Sequence, residues 1–170
     1  MRGTVAFLVA TLTLAFSGVD ASAGVGCPTP LAHRGVHTTT VDENSRTAIT
    51  RMKGRGLAEV DVHLTKDNMP ILMHDKGVNR TTDGEGLVID LTLAEVKTFR
   101  LNITGERVPT FRQAVNTAER ANVRLVVELK QYPQWTPATL AKVGRIANRA
   151  DVRVYVGGKF SQVRDTSTGE

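Results

Sequence analysis

Residues 59–75, EVDVHLTKDNMPILMHD, decide how the rest of the chain is read. Successive side chains on a strand point to opposite faces, so Glu59, Asp61 and His63 share one side while Val60, Val62 and Leu64 share the other. The apolar side can pack on a helix. The other side carries two carboxylates, whose burial costs on the order of several kcal/mol unless a cation or hydrogen-bond donors compensate. Hard divalent cations such as Mg2+ or Ca2+ take carboxylate oxygens, so acids at i and i+2 supply half of a metal site. Thr65-Lys66-Asp67-Asn68 reads as a turn in which Asn68 suits a left-handed conformation. Ile71-Leu72-Met73 is a second apolar run, ending at His74-Asp75. The acids of one strand and the histidine at the end of the next are expected to meet in space.

Working outward, a short first strand ends at His33-Arg34-Gly35, and Asp42-Glu43-Asn44-Ser45 supplies cap-type residues for a helix with Ala48, Ile49 and Met52 on its apolar face. Gly54 and Gly56 stop that helix. Beyond His74, the segment from Lys76 to Val108 is loop-rich and reads as an insertion, with a capping box at Thr92 and Glu95 over Leu93, Val96 and Phe99. Pro109-Thr110 and Gln113 open a helix buried through Phe111, Ala114, Val115 and Ala118. A strand from Val123 to Lys130 places Glu128 and Lys130 on one face, near its end. Thr136-Pro137 begins a helix to about Ala150 with Leu140, Val143 and Ile146 inward, and Val152 to Val156 is a fifth apolar run.

Alternating strands and helices with ionisable residues at strand ends argue for a parallel α/β fold of TIM (β/α)8-barrel type, whose active sites are built at the carboxyl ends of the strands. A doubly wound sheet is the competitor, but neither common glycine-rich phosphate loop is present. Five strands are fewer than eight. Residues 24–170 are therefore expected to form a partial domain, truncated after about five strands, with residues 76–108 inserted after the third.

With 170 residues and an ordinary apolar fraction, one domain with a real core is expected. The formal net charge of +5 suits anionic substrates, while the basic residues interleave poorly with aromatics and argue against nucleic acid. Arg2, the apolar run Val5 to Phe16 and the small residues Ala21-Ser22-Ala23 fit a secretory signal peptide over residues 1–23. The run is too short to serve as a stable membrane anchor, so the mature chain is expected to be secreted, whether extracellular, periplasmic or at the cell surface. Cys27 is the single cysteine, which suggests a free thiol, an intermolecular bridge, or a partner in sequence not present here.

The ordered set His33-Arg34-Gly35, Glu43-Asn44-Ser45, Glu59-Val60-Asp61-Val62, Thr65-Lys66-Asp67, His74-Asp75, Arg80-Thr81-Thr82 and Glu128-Leu129-Lys130 resembles the glycerophosphodiester phosphodiesterase family, over roughly residues 31 to 160. Ser45 stands where that family more often has threonine, and Asn68 where glycine is usual. The resemblance implies a TIM barrel with a small insertion after an early strand. It also implies divalent-cation-dependent hydrolysis of small-molecule glycerophosphodiesters, the deacylated remains of phospholipids, to glycerol 3-phosphate and an alcohol. By the same resemblance Glu59, Asp61 and Glu128 are metal ligands, His33 and His74 are general acid and base, Arg34 and Lys130 hold the phosphate, and Glu43 lies at the rim. The family's usual course, attack by the substrate's own glycerol hydroxyl followed by opening of a cyclic phosphate, comes from the resemblance alone.

Bland readings stand beside these. The acids fit paired strand-end carboxylates, Arg34 and Lys130 fit salt bridges to them, and His63 fits a packed structural residue better than a functional one. Two other functions are carried: a truncated, inactive fragment that only binds cation or phosphate, and a sphingomyelinase D-like phospholipase sharing the barrel and a pair of histidines.

Overall fold

The computed structural model describes residues 30–130 and 135–148, and the backbone of 152–156. The expected signal peptide, Cys27 and the tail from Ser161 lie outside the described residues. The elements in chain order are β1 (Leu31–Ala32), α1 (Arg46–Thr50), β2 (Leu57–Leu64), β3 (Pro70–Leu72), a 3-10 turn (Val88–Asp90), α2 (Leu93–Val96), α3 (Phe111–Ala121), β4 (Arg124–Leu129), α4 (Pro137–Ala147) and β5 (Val152–Val156).

Four strands run parallel in the spatial order β1-β2-β4-β5, so the order never reverses along the chain. The connecting helices touch in the same sequence, α1 on α3 and α3 on α4, and form one layer over one face of the sheet. A doubly wound sheet reverses its strand order and covers both faces; unreversed order with helices on one side is the wall of a (β/α)8-type barrel. The opposite face of these strands, where Glu59 and Asp61 point, belongs to the barrel interior.

The second apolar run is not a further strand of that wall. Residues Pro70–Leu72 fold back antiparallel on Val62–Leu64. The connection through Thr65–Met69 is far too short for a parallel crossover, which needs about a dozen residues or more. Asn68 takes the left-handed conformation the turn requires, with φ 57°.

The core between sheet and helices joins Val60, Val62, Leu125, Val127 and Leu129 to Ile49, Phe111, Val115 and Val143. The caps follow the sequence: Ser45 accepts from Ala48 N, and Thr92–Glu95 and Thr110–Gln113 form reciprocal capping boxes. Leu140, expected inward, is exposed. Thr139, tied to the N-cap Thr136, takes the inward place with Val143, Ile146 and Ala147, which leaves Leu140 outside the buried stripe.

The segment after β3 builds a second apolar cluster of Ile71, Met73, Val78, Val88, Val96, Leu101 and Val108. It is fastened to the loop after β1 by Asp42, a buried carboxylate that accepts from Ile103 N (3.1 Å), Thr104 N (2.8 Å) and Thr104 Oγ1 (2.6 Å).

One edge of β2 is shared. β1 pairs with Leu57 and Ala58, β3 with Val62 to Leu64. Between them, Asp61 N donates to Asn44 Oδ1 (3.0 Å) and Met73 N donates to the Asp61 carbonyl (3.1 Å). A side-chain amide thus stands where a neighbouring strand would otherwise supply the bond.

Candidate active site

The acids meet because of register. Asp61 on β2 lies directly opposite Glu128 on β4, and directly opposed residues point to the same face. Glu59 follows on that face, two positions earlier. One carboxylate oxygen of each of Glu59, Asp61 and Glu128 lies within 4.8 Å of the others. Glu59 and Asp61 are fully buried, Glu128 partly so.

Two cations face this group. Lys130 Nζ lies 3.0 Å from Asp61 Oδ1 and 2.9 Å from Glu128 Oε1. Burial works against its charge, but the bonds and charges of Glu128 and Asp61 outweigh that and hold its pKa above the ordinary value. Arg34 Nε lies 3.6 Å from Asp61 Oδ2, and the Arg34 backbone N–H donates to Glu59 Oε2 at 2.8 Å. That N–H reaches the glutamate because Arg34 sits at φ 59°, a left-handed conformation uncommon for residues with a side chain. Gly35 follows at φ +75°, and a Cβ there would stand 2.8 Å from Ala48 Cβ, so only glycine allows the loop this close to α1.

Asn44, at φ 53°, completes the Asp61 contacts with Nδ2 donating to Oδ2 at 2.8 Å. Glu59 is less well served. Among the described residues its Oε1 makes no hydrogen bond, although it is buried. Burial, then the charge of Asp61 and of Glu128, push its pKa up to about 8 against the Arg34 N–H and Lys130. A buried carboxylate that resists ionisation beside two other acids offers hard oxygen donors and one uncommitted atom, which fits a divalent cation of the Mg2+ or Ca2+ kind. The three acids would hold it.

The two histidines approach from different loops. His33 Nε2 lies 3.9 Å from Glu59 Oε2. His74, just after β3, bonds through Nδ1 to Asp75 Oδ1 at 2.7 Å, while its carbonyl lies 3.0 Å from the buried His63 Nε2. His63 is thus a packed, bonded residue beneath the site. Glu43 is bound by Arg34 Nη1 (3.1 Å) and by Arg80, and Arg80 also grips Asp75. Burial alone would raise the Glu43 pKa, but Arg80 and Arg34 lower it overall. All eight sequence-named residues therefore belong to one connected set.

Asn44, Asp75 and Arg80 had not been singled out for roles here. Each stands in a short motif that the family resemblance rests on, and Asp75 is the immediate neighbour of a named histidine; those were the available signals. A cleft of about 550 Å³ opens between α1, α3 and Glu106 and is lined by none of Glu59, Asp61 and Glu128.

Comparison with known proteins places this arrangement among relatives. The chain is 33% identical over 123 residues to glycerophosphodiester phosphodiesterase 1 of Mus musculus, covering 66% of this chain and 37% of that protein. It is 37% identical over 108 residues to the glycerophosphodiester phosphodiesterase of Caldanaerobacter subterraneus subsp. tengcongensis, covering 59% of this chain and 44% of that protein. Among solved structures it is similar to a phosphodiesterase of Oleispira antarctica in complex with the product sn-glycerol-3-phosphate. There the TM-score is 0.66 and the identity 27%, over 76% of this chain and 56% of that one. A glycerophosphoryl diester phosphodiesterase from Parabacteroides distasonis gives a TM-score of 0.65 at 30% identity, over 78% of this chain and 48% of that one. The chain thus spans about two fifths of the length of these curated relatives and about half of these solved structures. With the family model for glycerophosphoryl diester phosphodiesterases matching residues 33–165, most of the sequence, the chain belongs to the glycerophosphoryl diester phosphodiesterase family.

Proposed function

We propose that this chain hydrolyses glycerophosphodiesters to glycerol 3-phosphate and an alcohol, with a divalent cation held by Glu59, Asp61 and Glu128. The observation that carries the reading is the convergence of three acids from two strands, one with a buried oxygen that meets no donor among the described residues, next to Arg34, Lys130 and His33, with His74 joined to the set through Asp75 and Arg80. The product seen with the Oleispira antarctica relative supports the substrate class.

A bound divalent cation supplies positive charge beside the phosphate, offsetting what develops on the phosphoryl oxygens. Arg34 and Lys130, already aligned on the acids, add a fork and a point charge for the same oxygens. His33 and His74 divide the proton work, one taking a proton from the attacking oxygen and the other giving one to the leaving alkoxide. Imidazole suits both tasks because its unperturbed titration falls near neutrality. Export through residues 1–23 belongs to the same reading and is tested by the size of the chain released by a secreting host.

The deciding assay measures glycerol 3-phosphate released from glycerophosphocholine with and without chelator, beside a choline-containing sphingolipid. Chelator-sensitive release from the first supports the proposal. Cation binding without turnover of either substrate favours the binding-only reading, and turnover of the sphingolipid alone favours the phospholipase reading.

A further inference from the structure

We infer that Arg80 is a positioning residue that holds the two sides of the site together, gripping Asp75 behind His74 and Glu43 behind Arg34. The inference rests on the roles proposed above for His74 and Arg34. Arg80 comes from the inserted segment, yet its guanidinium is spent entirely on the site. Nε and Nη2 reach Asp75 Oδ2 and Oδ1 at 2.5 and 3.2 Å, while Nη2 and Nη1 reach Glu43 Oε1 and Oε2 at 2.6 and 3.1 Å. Both edges of one planar fork are occupied by carboxylates, a geometry open to arginine and closed to lysine.

Each carboxylate then passes the constraint on. Asp75 Oδ1 lies 2.7 Å from His74 Nδ1, and Glu43 Oε2 accepts from Arg34 Nη1 at 3.1 Å. An ionised carboxylate only accepts, so the proton of the His74–Asp75 bond sits on Nδ1 and leaves Nε2 to exchange protons with substrate. Asp75 is ionised near neutral pH at an ordinary carboxylate pKa, and the Arg80 hydrogen bond, aided by His74, holds its carboxyl lower still, so what Arg80 adds is the position of the carboxylate behind the ring. Arg34, tied at Nη1, keeps Nε toward Asp61.

Fastening the insertion is not what Arg80 is needed for. Asp42 already binds Ile103 and Thr104, and the insertion packs on Ile71 and Met73 through an apolar cluster that does not involve Arg80. Loss of Arg80 should therefore leave the chain folded and misplace the reacting groups.

The test combines kinetics on glycerophosphocholine at saturating cation with 15N spectra of the His74 ring, in the full chain. Asp75→Asn is expected to lower kcat about 10- to 100-fold with little change in KM, the usual scale for losing an orienting partner. Glu43→Gln should chiefly raise KM, Arg80→Gln should do both, and Arg80→Lys should recover one arm at most. The Arg80→Gln/Asp75→Asn double variant should have a kcat no lower than Asp75→Asn alone, because the two act through one path. The spectra should show His74 as the Nδ1–H tautomer, shifted toward Nε2–H in Asp75→Asn and mixed in Arg80→Gln. A loss in Arg80→Gln that only tracks unfolding, or kinetics and tautomer both unchanged, overturns the inference. A wild-type chain without turnover would sink the proposed function and leave this inference to the spectra, where an unchanged tautomer in Arg80→Gln overturns it.

Discussion

Asp61 on β2 and Glu128 on β4 are direct neighbours across the parallel ladder, and one ammonium group, Lys130 Nζ, stands within 3.0 Å of both. Among the described residues the third acid, Glu59, has a backbone N–H and no ion pair at such short range. This asymmetry makes Glu59 the acid whose charge is least compensated, and the one on which cation binding should act most.

Glu59→Gln should therefore raise the melting temperature of the chelated protein at pH 8, since a neutral side chain removes a buried charge whose ionisation costs on the order of a few kcal/mol. The same substitution should erase the stabilisation that Mg2+ or Ca2+ gives the wild type. Thermal melts with chelator and with cation check both halves; a Glu59→Gln chain that melts lower in chelator and still responds to cation would count against the site.

The pH dependence follows in sign. Glu59 titrates at about 8 in the folded chain against an ordinary 4.5, so the folded state holds a proton the unfolded state has lost. Stability from this group is full below about pH 4.5 and declines as pH rises toward 8. Glu43 and Asp75, whose pKa values are lowered, act in the opposite sense, and only in the acid range below that window. Between these limits the chelated protein should lose stability with rising pH, while stabilisation by added cation grows. Melts recorded from pH 5 to 9 test this; a cation effect that shrinks with pH would refute it.

His33→Ala and His74→Ala should each reduce turnover about 10²- to 10⁴-fold, the range for losing a general acid or base. Neither ring is among the three acids proposed to hold the cation, so calorimetric cation affinity should hardly change. Equal loss of cation affinity in either variant would mean that the ring, and not only the acids, binds the ion.

Asn44→Ala removes two buried bonds to Asp61, one to its carboxylate and one from its backbone N–H, and puts alanine at φ 53°. Together these should destabilise the chain by roughly 2–4 kcal/mol. Chemical denaturation measures the loss, and Asn44→Ser, able to keep only part of the pairing, should fall between. An Asn44→Ala chain as stable as wild type would show that water replaces the amide at no cost.

Much of this was readable beforehand, for identifiable reasons. The alternation in β2 placed Glu59 and Asp61 on one face, and the capping residues Ser45, Thr92, Thr110 and Thr136 started their helices where they stand. The direction of β3 was legible too, since the Thr65–Met69 connection is too short for anything but a reversal, although counting apolar runs as barrel strands obscured it. The pairing of Asp61 with Glu128 was not legible without the resemblance, because strands far apart in sequence carry no local mark of register. Leu140 misled because several residues near the start of α4 satisfy a helical period, and the cap bond of Thr139 decides among them. Asn44 read as one cap-type residue among four, whereas its amide serves β2 and Ser45 does the capping. Arg80 lies in a loop, where no periodicity announces which carboxylates a guanidinium will find.

The amide of Asn44 laid across the middle of β2 has one more effect. Bare rungs on a strand are where a second molecule adds itself, rung by rung, and such additions seed aggregates. Here Asp61 N–H is taken by the amide and its carbonyl by Met73 N–H, so this stretch gives an approaching strand no place to start. The residue that steadies a candidate ligand also keeps copies of the chain from zipping together at the same spot.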